Sequence, residues 1–372
     1  MDKYRATGFL WVLALLSIAG LGYALGRAPL GKLLHMQSLL QGQSLYRANG
    51  AGLLEGAATG VAASLEDPYT SYLNQQDMAA LETRLQAERR PGLGLELYAC
   101  ESGLLVCDVQ DTSPAQLAGI ARGDMIVSIN GFAAALEEPL RPTEEGGRFI
   151  LEIARNGKSR TAHITAAMIE PLPDICFAKT LHNIGYIRIR SFLQADDAQA
   201  FQAAFEDLGD IHGLVIDLRG NPGGRLESAL AIAGLFIDEG LPLLYLREGD
   251  GSLTPVVAAQ SKSYQLPLAL LIDEQSASAS EVLAGILRDI TGAKLVGAQS
   301  FGKGLVQTIA AFEDGSGMRY TTSEYILPDG QALNGLGLLP DIAVDEQQNY
   351  PGWASSNGID APLGAAVNAL AN

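Results

Sequence analysis

The sequence predicts a multidomain α/β protein in four parts: an N-terminal membrane segment, a small helical region, a β-rich domain and an α/β domain. Its 372 residues suggest two or three domains at roughly 100 to 200 residues each. Apolar residues make up 48% of the chain and charged residues 18%, which provides enough apolar surface for cores and excludes intrinsic disorder. The apolar spacing changes from helical to alternating, and then to strands that alternate with helices.

The charge balance excludes one class of partner. Lys and Arg total 25 against 42 Asp and Glu, a net charge of -17. Binding to nucleic-acid phosphates needs neutralising cations, so we expect no nucleic-acid partner. The acidity is concentrated in residues 169–372, which hold eleven basic and 25 acidic side chains.

Residues 1–26 form the predicted membrane segment. Lys3 and Arg5 precede an uncharged run of about 19 residues from Gly8 to Gly26, which is long enough to span a bilayer. Ala24-Leu25-Gly26 also fits a signal peptidase site, so a cleaved signal peptide is the alternative. We expect an anchor that holds the body on the periplasmic side of the inner membrane, or a periplasmic protein if the segment is cleaved.

Residues 27–90 are predicted to be helical. Apolar residues recur there at helical spacing, first around Leu33 and Leu40 and again around Leu53 and Val61. The pattern stops at Asp67-Pro68-Tyr69, because the residue before a proline is disfavoured in helical geometry. The helical region is therefore expected to be interrupted at residues 67–69.

Residues 91–168 are predicted to form a compact β-rich domain, because short alternating strands are separated by glycines. Gly92-Leu93-Gly94-Leu95 opens the first strand, and the runs 113–120 (SPAQLAGI) and 122–131 (RGDMIVSING) follow it. Together they resemble the loop, helix and strand of PDZ domains. The resemblance implies a peptide site in which backbone N–H groups of the glycine loop hold the carboxylate of a protein C-terminus. An ordinary glycine turn is the alternative.

The cysteines give little information about function. Cys100, Cys107 and Cys176 are too few for a disulfide scaffold and lack metal-ligand spacing, so we expect no metal site. Cys100 and Cys107 flank Glu101-Ser102-Gly103 and could pair across a hairpin turn in an oxidising compartment. Two small buried thiols on adjacent strands are an equally good interpretation.

Residues 169–346 are predicted to be an α/β domain, and residues 347–372 a C-terminal tail. The run 218–224 (LRGNPGG) ends one predicted strand and precedes a helix, so its free N–H groups can hold an anion or a developing oxyanion. It lacks the G-x-x-x-x-G-K-[ST] pattern of a phosphate loop. A purely structural turn is the alternative.

Two further runs carry the remaining chemistry, 276–281 (SASASE) and 301–304 (FGKG). Ser278 stands at the predicted start of a helix, where the backbone N–H of Ala279 can bind the oxyanion formed when the serine hydroxyl attacks a carbonyl. A Ser-His-Asp triad has no evident histidine. All four histidines lie outside the motifs, at positions His35, His163, His182 and His212.

Lysine is the alternative base, but it must be neutral. Lowering its pKa from about 10.4 to near 7 requires about 4 kcal/mol, which burial normally supplies. Lys303 lies between two glycines in an apolar setting, although a solvated lysine in a glycine loop is the alternative. Because nearby carboxylates would raise its pKa, we expect Lys303 to be almost wholly buried, with no carboxylate within salt-bridge distance.

Taken together, the motifs resemble the carboxyl-terminal processing peptidases, also called tail-specific proteases. Ser278 stands 25 residues before Lys303, and Gln307 follows four residues later. The order also agrees over residues 50–345, including the runs 65–73 (LEDPYTSYL), 185–189 (GYIRI), 217–224 (DLRGNPGG) and 335–341 (GLGLLPD). The resemblance implies the crotonase-like fold of that family, and a serine peptidase that needs no metal or organic cofactor.

Carried over by position, the resemblance assigns a role to each catalytic group. Ser278 would be the nucleophile, Lys303 the general base and Gln307 the residue that orients the lysine. Asp289 stands eleven residues after the serine, where some family members have an important acid. It lies about three helical turns from Ser278, so we expect a structural role.

The resemblance also implies an oxyanion hole and leaves two points open. The hole would combine the Ala279 N–H with one N–H from the Gly223-Gly224 turn. The helical region before the PDZ domain is short for the family, and Arg225 replaces the apolar residue that often follows the two glycines. These departures leave oligomerisation, including a possible homo-oligomer, and substrate contacts undecided.

The function expected from the sequence is therefore an exported serine endopeptidase that recognises protein C-termini and cleaves through an acyl-enzyme. Two alternatives remain: a catalytically inactive PDZ scaffold, and a ligand-binding protein on the same fold. The presence of Ser278, Lys303 and Gln307 together favours the peptidase.

Overall fold

A computed structural model describes residues 29–46, 49–85, 89–100, 102–134, 140, 142, 144–155, 157–170, 172–181, 183–260, 264–344 and 361–371. The predicted membrane segment at residues 1–26 lies outside them. Within the described ranges, no helix combines the length and the hydropathy that a bilayer crossing requires.

The secondary-structure elements are numbered in chain order. The helices are α1 (Pro29–Gln43), α2 (Gly50–Ala63), α3 (Gln75–Leu85), α4 (Pro114–Leu117), α5 (Asp197–Asp207), α6 (Leu226–Gly234), α7 (Ala279–Thr291) and α8 (Ala361–Ala371). The strands are β1 (Ser71–Leu73), β2 (Arg90–Gly92), β3 (Leu95–Cys100), β4 (Gly103–Val109), β5 (Met125–Ile129), β6 (Phe132–Ala133), β7 (Arg148–Arg155), β8 (Lys158–Thr165), β9 (Ala167–Ile169), β10 (Ile175–Leu181), β11 (Ile184–Ile189), β12 (Gly213–Asp217), β13 (Pro242–Glu248), β14 (Leu253–Val257), β15 (Leu268–Ile272), β16 (Lys294–Gly297), β17 (Leu305–Ala311), β18 (Gly317–Ile326) and β19 (Ile342–Ala343).

The chain divides into two compact units. The first comprises residues 1–78 and 308–320, and the second residues 79–307 and 321–372. In the first unit, Asn49 caps α2 by accepting the Gly52 N–H at 2.6 Å. Asp67 turns the chain after α2, because its carboxylate accepts both the Tyr69 N–H and the Thr70 hydroxyl. The predicted helix break at Asp67 is thus present.

The β-rich domain lies within the second unit. Its antiparallel sheet has the strand order β3-β4-β5-β7-β8, with β6 added beside β5. Alternate residues of these strands point into one core, where Val106, Ile126, Leu151 and Ile153 are fully buried. The short pair β2 and β9 brings the two ends of the domain together.

The β3–β4 register bears on the proposed cysteine pair. Cys100 lies opposite Gly103, whereas Cys107 follows Val106 at a bulge opposite Glu96 and Leu97. The two cysteines are therefore about four residues apart along the hairpin, or roughly 13 Å at the rise of a strand. A disulfide needs Cα atoms within about 7 Å, so this register does not bring them together.

The α/β domain is built on a six-stranded sheet with the order β10-β11-β12-β15-β16-β19. The strands from β11 onward are parallel, and β10 is an antiparallel edge. On one face, Leu214 and Ile216 of β12 join a large core with α5, α6 and α7. On the other face, Val215 packs in a smaller core with α8. The sheet is thus covered on both sides, which explains the continuous apolar runs of its strands.

The position of the functional site follows from this topology. The adjacent parallel strands β12, β15 and β16 end at Asp217, Ile272 and Gly297. The three sequence motifs follow those strand ends, at residues 218–224, 273–281 and 299–304. Since the carboxyl ends of parallel strands lie at the same edge of a sheet, the fold brings the three motifs together.

Candidate active site

Backbone hydrogen bonds connect the three motif loops. The Ala277 N–H donates to the Asn221 carbonyl at 3.0 Å, which joins the nucleophile loop to the glycine turn. The Phe301 N–H donates to the Ser276 carbonyl at 3.0 Å, which joins the lysine loop to the nucleophile loop. The predicted nucleophile, glycine turn and lysine loop therefore form one site.

Ser278 occupies an unusual backbone conformation directly before α7. Its φ of 58° and ψ of -118° are rarely adopted by a non-glycine residue, and strain of this kind concentrates at functional sites. The side chain is partly buried, and Ala279 is the first residue of the helix. The N–H groups at the start of α7 thus lie next to the serine hydroxyl, as oxyanion binding requires.

Glu281 holds the nucleophile loop and the lysine loop together. Its carboxylate is fully buried and accepts the Ser278 N–H at 2.9 Å. It also accepts the Gly302 N–H at 2.7 Å, the Lys303 N–H at 2.8 Å and the Ser300 hydroxyl at 2.5 Å. The sequence interpretation missed this role, although Ser278-x-x-Glu281 has the spacing of a capping box. One buried carboxylate thus fixes the backbones of both predicted dyad residues.

Lys303 is partly buried, so the expectation of almost complete burial is wrong. The reason lies in its neighbours. Gly302 and Gly304 provide no side-chain cover, and Phe301, the apolar residue before them, is 60% exposed. Gly304 is needed for close packing, since a Cβ there would lie 2.2 Å from the Asn334 backbone nitrogen. The glycines therefore allow the backbone to pack closely and leave the Lys303 side chain partly exposed.

Gln307 lies on β17 and presents an unsatisfied group. Among the described residues its Nε2 is buried without a hydrogen-bond partner. Such a group is costly, and in native proteins it often marks a functional position. Rotation about the last side-chain bond would exchange Nε2 for Oε1 at this position. The oxygen is an acceptor, as a residue that orients a lysine requires.

The glycine turn approaches the nucleophile closely. A Cβ on Gly223 would lie 3.0 Å from the Ser278 Cβ and 2.7 Å from the Ala277 carbonyl oxygen, so only glycine fits. The Gly223 N–H, however, donates to the Asn221 side-chain oxygen at 2.8 Å. Gly223 is therefore the residue that packs closely against Ser278, and its N–H already has an acceptor.

Gly224 is the better-placed donor of the two glycines. It forms a parallel β-bridge with Phe192, in which the Phe192 N–H donates to the Gly223 carbonyl and the Arg225 N–H to the Phe192 carbonyl. In this pattern the N–H of the central residue points away from the bridge. Of the two glycines, Gly224 therefore keeps an N–H that takes no part in the bridge.

Asn221 supports both sides of the site. Its fully buried amide donates to the Ile189 carbonyl at 3.0 Å, and its own carbonyl accepts the Ser280 hydroxyl at 3.0 Å. With the bonds to Gly223 and Ala277, these contacts fix the glycine turn against the start of α7. The sequence interpretation treated Asn221 only as part of the motif.

Asp289 lies near the other end of α7, about 16 Å along the helix from Ser278 at 1.5 Å per residue. Its carboxylate accepts a hydrogen bond from Arg288 Nε at 2.7 Å and from the Asp329 N–H at 3.2 Å. These partners anchor the loop after β18 to the helix. These contacts indicate a structural role for Asp289.

The described residues offer no site for a metal, since they contain no cluster of three His, Cys, Asp or Glu side chains. A cavity of 710 Å³ opens at the opposite edge of the sheet, beside Phe236, Tyr264, Leu268 and Ile290. It contains none of the predicted site residues.

The domains that contain these loops match known families. Residues 183–344 match the family model for peptidase family S41, and residues 91–165 match a PDZ domain model. The chain thus has a PDZ domain and an S41 peptidase domain. The resemblance to the carboxyl-terminal processing peptidases is confirmed at this level.

Similar proteins agree with the domain matches. A protein of Staphylococcus aureus named "Probable CtpA-like serine protease" is 30% identical over 327 residues, which cover 86% of this chain and 65% of that protein. A protein of the same name in Staphylococcus haemolyticus is 29% identical over 331 residues, covering 87% of this chain and 66% of that protein. The chain thus spans slightly less than two thirds of the length of these relatives. The solved structure of the photosystem II D1 C-terminal processing protease aligns with a TM-score of 0.59 and 27% identity, over 91% of this chain and 93% of that one.

The predicted peptide loop of the PDZ domain has a suitable backbone. Gly94 has a φ of +74°, and a Cβ there would lie 2.2 Å from the Ser113 Cβ, so glycine is required. Gly92 belongs to β2, Leu95 begins β3, and the two residues between them lie outside any strand. Within the described part of the chain, the N–H groups of Leu93 and Gly94 have no acceptor. Two successive free N–H groups can bind a carboxylate.

An ionic network connects the PDZ domain to the S41 domain. Glu96, on β3 directly after the peptide loop, pairs with Arg188 and, at 2.6 Å, with Arg190. Arg190 also pairs with Asp108 of β4, which in turn binds Arg122 at 2.5 Å. Burial raises the pKa of the Asp108 carboxyl, but Arg122 and Arg190 outweigh it and hold the pKa below the usual value. Sequence spacing gave no sign of these contacts.

Proposed function

We propose that the protein is a serine endopeptidase that captures protein C-termini through its PDZ domain and cleaves peptide bonds with a Ser278–Lys303 dyad. The observation that carries the proposal is the Glu281 carboxylate, which binds the backbones of Ser278, Gly302 and Lys303. These hydrogen bonds fix the spacing between the backbones of the nucleophile and its base. Such positioning is a large part of catalysis. The S41 domain match supports the same reaction class.

In the proposed mechanism, Ser278 Oγ attacks the scissile carbonyl while neutral Lys303 Nζ takes its proton. The N–H groups of Ala279 and Gly224 bind the tetrahedral oxyanion. Lys303 then gives the proton to the leaving amine, which leaves an acyl group on Ser278. A water molecule hydrolyses that ester with Lys303 again as the base. No step needs a metal or an organic cofactor.

Gln307 is proposed to orient Lys303. A neutral amine needs an acceptor that holds its N–H bonds and leaves the nitrogen lone pair directed at the serine. The buried Nε2 atom of Gln307 lacks a partner among the described residues, and a flipped amide would direct the acceptor Oε1 to that position. Its substitution would reduce kcat by misplacing the base, with less effect on KM.

Substrate capture is proposed to begin at the loop formed by Gly92, Leu93, Gly94 and Leu95. The free N–H groups of Leu93 and Gly94 suit a terminal carboxylate, and the β3 edge can accept an extended peptide as an added strand. A polypeptide with a blocked C-terminus should therefore bind more weakly than one with a free carboxylate.

The decisive experiment uses the purified full-length protein in mild detergent and a substrate protein with an apolar C-terminal tail. We expect wild type to cleave the tail, and Ser278→Ala and Lys303→Ala each to reduce cleavage by on the order of 10³-fold. Lys294→Ala is the matched control, because Lys294 is an exposed lysine at the start of β16. Equal persistence of the substrate with wild type and both variants would overturn the peptidase. Tail-dependent binding without cleavage would favour the inactive scaffold.

Export is a separate proposal that depends on the sequence of residues 1–26. The charged start and the uncharged run of about 19 residues support a signal anchor on the periplasmic side of the inner membrane. N-terminal sequencing of the membrane-extracted protein tests it. A mature chain that starts at Arg27 would replace the anchor by a cleaved signal peptide.

Self-association is proposed at the helices α1 and α2. Leu34, Met36 and Leu54 are each more than half exposed there, and each helix has only one charged residue. Exposed apolar surface of this kind favours an interface. Light scattering of the purified protein should show a homo-oligomer that Leu34→Asp with Leu54→Asp dissociates, whereas a monomer at all concentrations would refute it.

A further inference from the structure

The loop that follows β11 controls the position of the Gly224 donor. Phe192 in this loop is fully buried. Its backbone N–H donates to the Gly223 carbonyl at 3.0 Å, and its carbonyl accepts the Arg225 N–H at 2.5 Å. The glycine turn is thus clamped to the Ser191–Gln194 loop on one side. Any shift of that loop would move Gly224 relative to Ser278.

Two buried carboxyl groups accept hydrogen bonds from the Ser191–Gln194 loop. Asp174 is 6% exposed and accepts the Ser191 hydroxyl, the Leu193 N–H at 2.8 Å and the Gln194 N–H at 3.1 Å. Asp197, at the first position of α5, is 2% exposed and accepts the same Gln194 N–H at 3.1 Å. Both carboxyl groups therefore converge on one N–H.

This geometry requires a proton between the two acids. Each carboxyl group has an oxygen 3.1 Å from the same Gln194 nitrogen, which brings the two groups side by side, and a carboxyl group can donate a hydrogen bond to its neighbour only when it is protonated. Two buried carboxylates at this separation cannot both ionise without strong repulsion. One N–H from Gln194 cannot balance two charges. The pair therefore carries one proton and one negative charge.

The surrounding charges do not relieve the repulsion. Asp196, the next residue on the chain, is exposed and adds a further negative charge. The Arg190 guanidinium is bound by Glu96 and Asp108, and its contact on this side is the Pro173 carbonyl. Glu227 in the first turn of α6 is also acidic. The side chain of Arg225 is exposed to solvent.

We propose that the Asp174–Asp197 pair is a positioning element of the oxyanion hole, because its shared proton holds the Ser191–Gln194 loop and, through Phe192, the Gly224 donor. This inference rests on the proposed peptidase function. Loss of the proton leaves two negative charges under the loop, which then separates from the pair. The Gly224 N–H moves away from the developing oxyanion, and the chemical step slows.

The direction of the pH dependence follows from the raised pKa. Burial, with Asp174 adding to it, raises the pKa of Asp197 to about 7. A raised carboxyl pKa means that the stabilising contribution is complete below the unfolded pKa and is lost as the pH rises through about 7. The loop should therefore be held at pH 6 and released at pH 8.5. The contribution of the pair to kcat should be lost over this range.

The experiment compares the pH profiles of kcat and KM for full-length wild type, Asp197→Asn and Asp196→Asn. Asparagine keeps both hydrogen bonds, since its amide donates to Asp174 and its oxygen accepts from Gln194, but it cannot ionise. We expect kcat of Asp197→Asn relative to wild type to rise about tenfold between pH 6.5 and 8.5, with KM little changed. The exposed Asp196→Asn is the matched control and should follow wild type closely.

A second readout does not depend on activity. The component of the protonated-carboxyl stretching band that wild type loses as the pH rises through about 7 should be absent from Asp197→Asn. If that variant does not fold, the same titration in Asp273→Asn protein isolates the pair, because burial also raises the pKa of Asp273, to about 6. Parallel kcat profiles of wild type and Asp197→Asn, or no titrating band, would overturn the inference. Inactive wild type that still shows the band would refute the peptidase and leave the pair in place.

Discussion

Asp217 and Asp273 stand at the ends of two neighbouring parallel strands, β12 and β15, and both are fully buried. Asp217 accepts hydrogen bonds from the Arg219 guanidinium at 2.6 and 2.9 Å and from the Tyr186 hydroxyl at 2.7 Å. Asp273 accepts the Gly220 N–H at 3.0 Å, together with N–H and hydroxyl groups of its own loop. The two carboxyl groups are thus equally buried, but Asp217 is hydrogen-bonded to a cation, whereas the hydrogen-bond donors to Asp273 are neutral.

The pKa values of the two carboxyl groups are shifted in opposite directions. Burial raises the pKa of each, but at Asp217 the Arg219 charge and hydrogen bonds, with Arg188 and Tyr186, outweigh it and the pKa is lowered. At Asp273 the Gly220 N–H and Ser276 only reduce the effect of burial, and the pKa is raised to about 6. Neutral donors can satisfy a buried carboxylate without making its charge favourable. Both groups support loops of the candidate site, so the difference has consequences for the stability of that site as a function of pH.

The largest effect is expected from Asp217→Asn. Arg219 is 0% exposed, so removing its counter-charge leaves a buried, unpaired guanidinium. We expect the free energy of unfolding at pH 7 to fall by about 3–5 kcal/mol, measured by urea denaturation. Because a lowered carboxyl pKa contributes stability that is lost as the pH falls through it, the difference from wild type should shrink towards pH 3. A loss below about 1 kcal/mol at pH 7 would contradict the ionic account.

A smaller effect with the opposite pH dependence is expected from Asp273→Asn. A raised carboxyl pKa means that wild type loses stability as the pH rises through about 6. Asparagine cannot ionise, and it keeps the acceptor that Gln275 and Ser276 use. The variant should therefore gain about 2–3 kcal/mol relative to wild type between pH 4 and 8, measured by thermal or urea unfolding at each pH. Parallel stability curves for the two proteins would show that Asp273 does not titrate in this range.

The sequence predicted the parts of the site that follow strand ends. Ser278, Lys303 and the Gly223-Gly224 turn each lie a few residues after a buried apolar run, and parallel strands bring such loops to one edge of the sheet. Glycine spacing and helix-start signals are local, so a single chain reveals them. This explains why the fold class and the grouping of the motifs could be predicted without tertiary contacts.

The supporting residues could not be predicted, because their partners are distant in the chain. Glu96 and Arg188 are 92 residues apart, and Ser300 and Glu281 are 19 apart, with no periodic pattern joining them. The partial burial of Lys303 was missed for a related reason. Apolar neighbours in sequence suggested cover, whereas Phe301 points its ring mostly into solvent. Burial depends on packing between elements, which composition does not determine.

The smallest effect, and the finest test of the comparison, is expected from Tyr186→Phe. This change removes one hydrogen bond to Asp217 and leaves the Arg219 bonds intact. The Tyr186 hydroxyl helps to lower the pKa of Asp217, so its loss should raise that pKa and reduce stability at pH 7 by about 1–2 kcal/mol.

The loss in Tyr186→Phe should shrink as the pH falls, because it depends on the ionised form of Asp217. Tyr264→Phe is the matched control, since the Tyr264 hydroxyl donates to Glu206 at 3.3 Å instead. Unfolding in urea at pH 3, 5 and 7 distinguishes the two variants. A loss in Tyr186→Phe that stays constant over this range would mean that the hydroxyl contributes only through packing, and that the arginines Arg219 and Arg188 separate the pKa of Asp217 from that of Asp273.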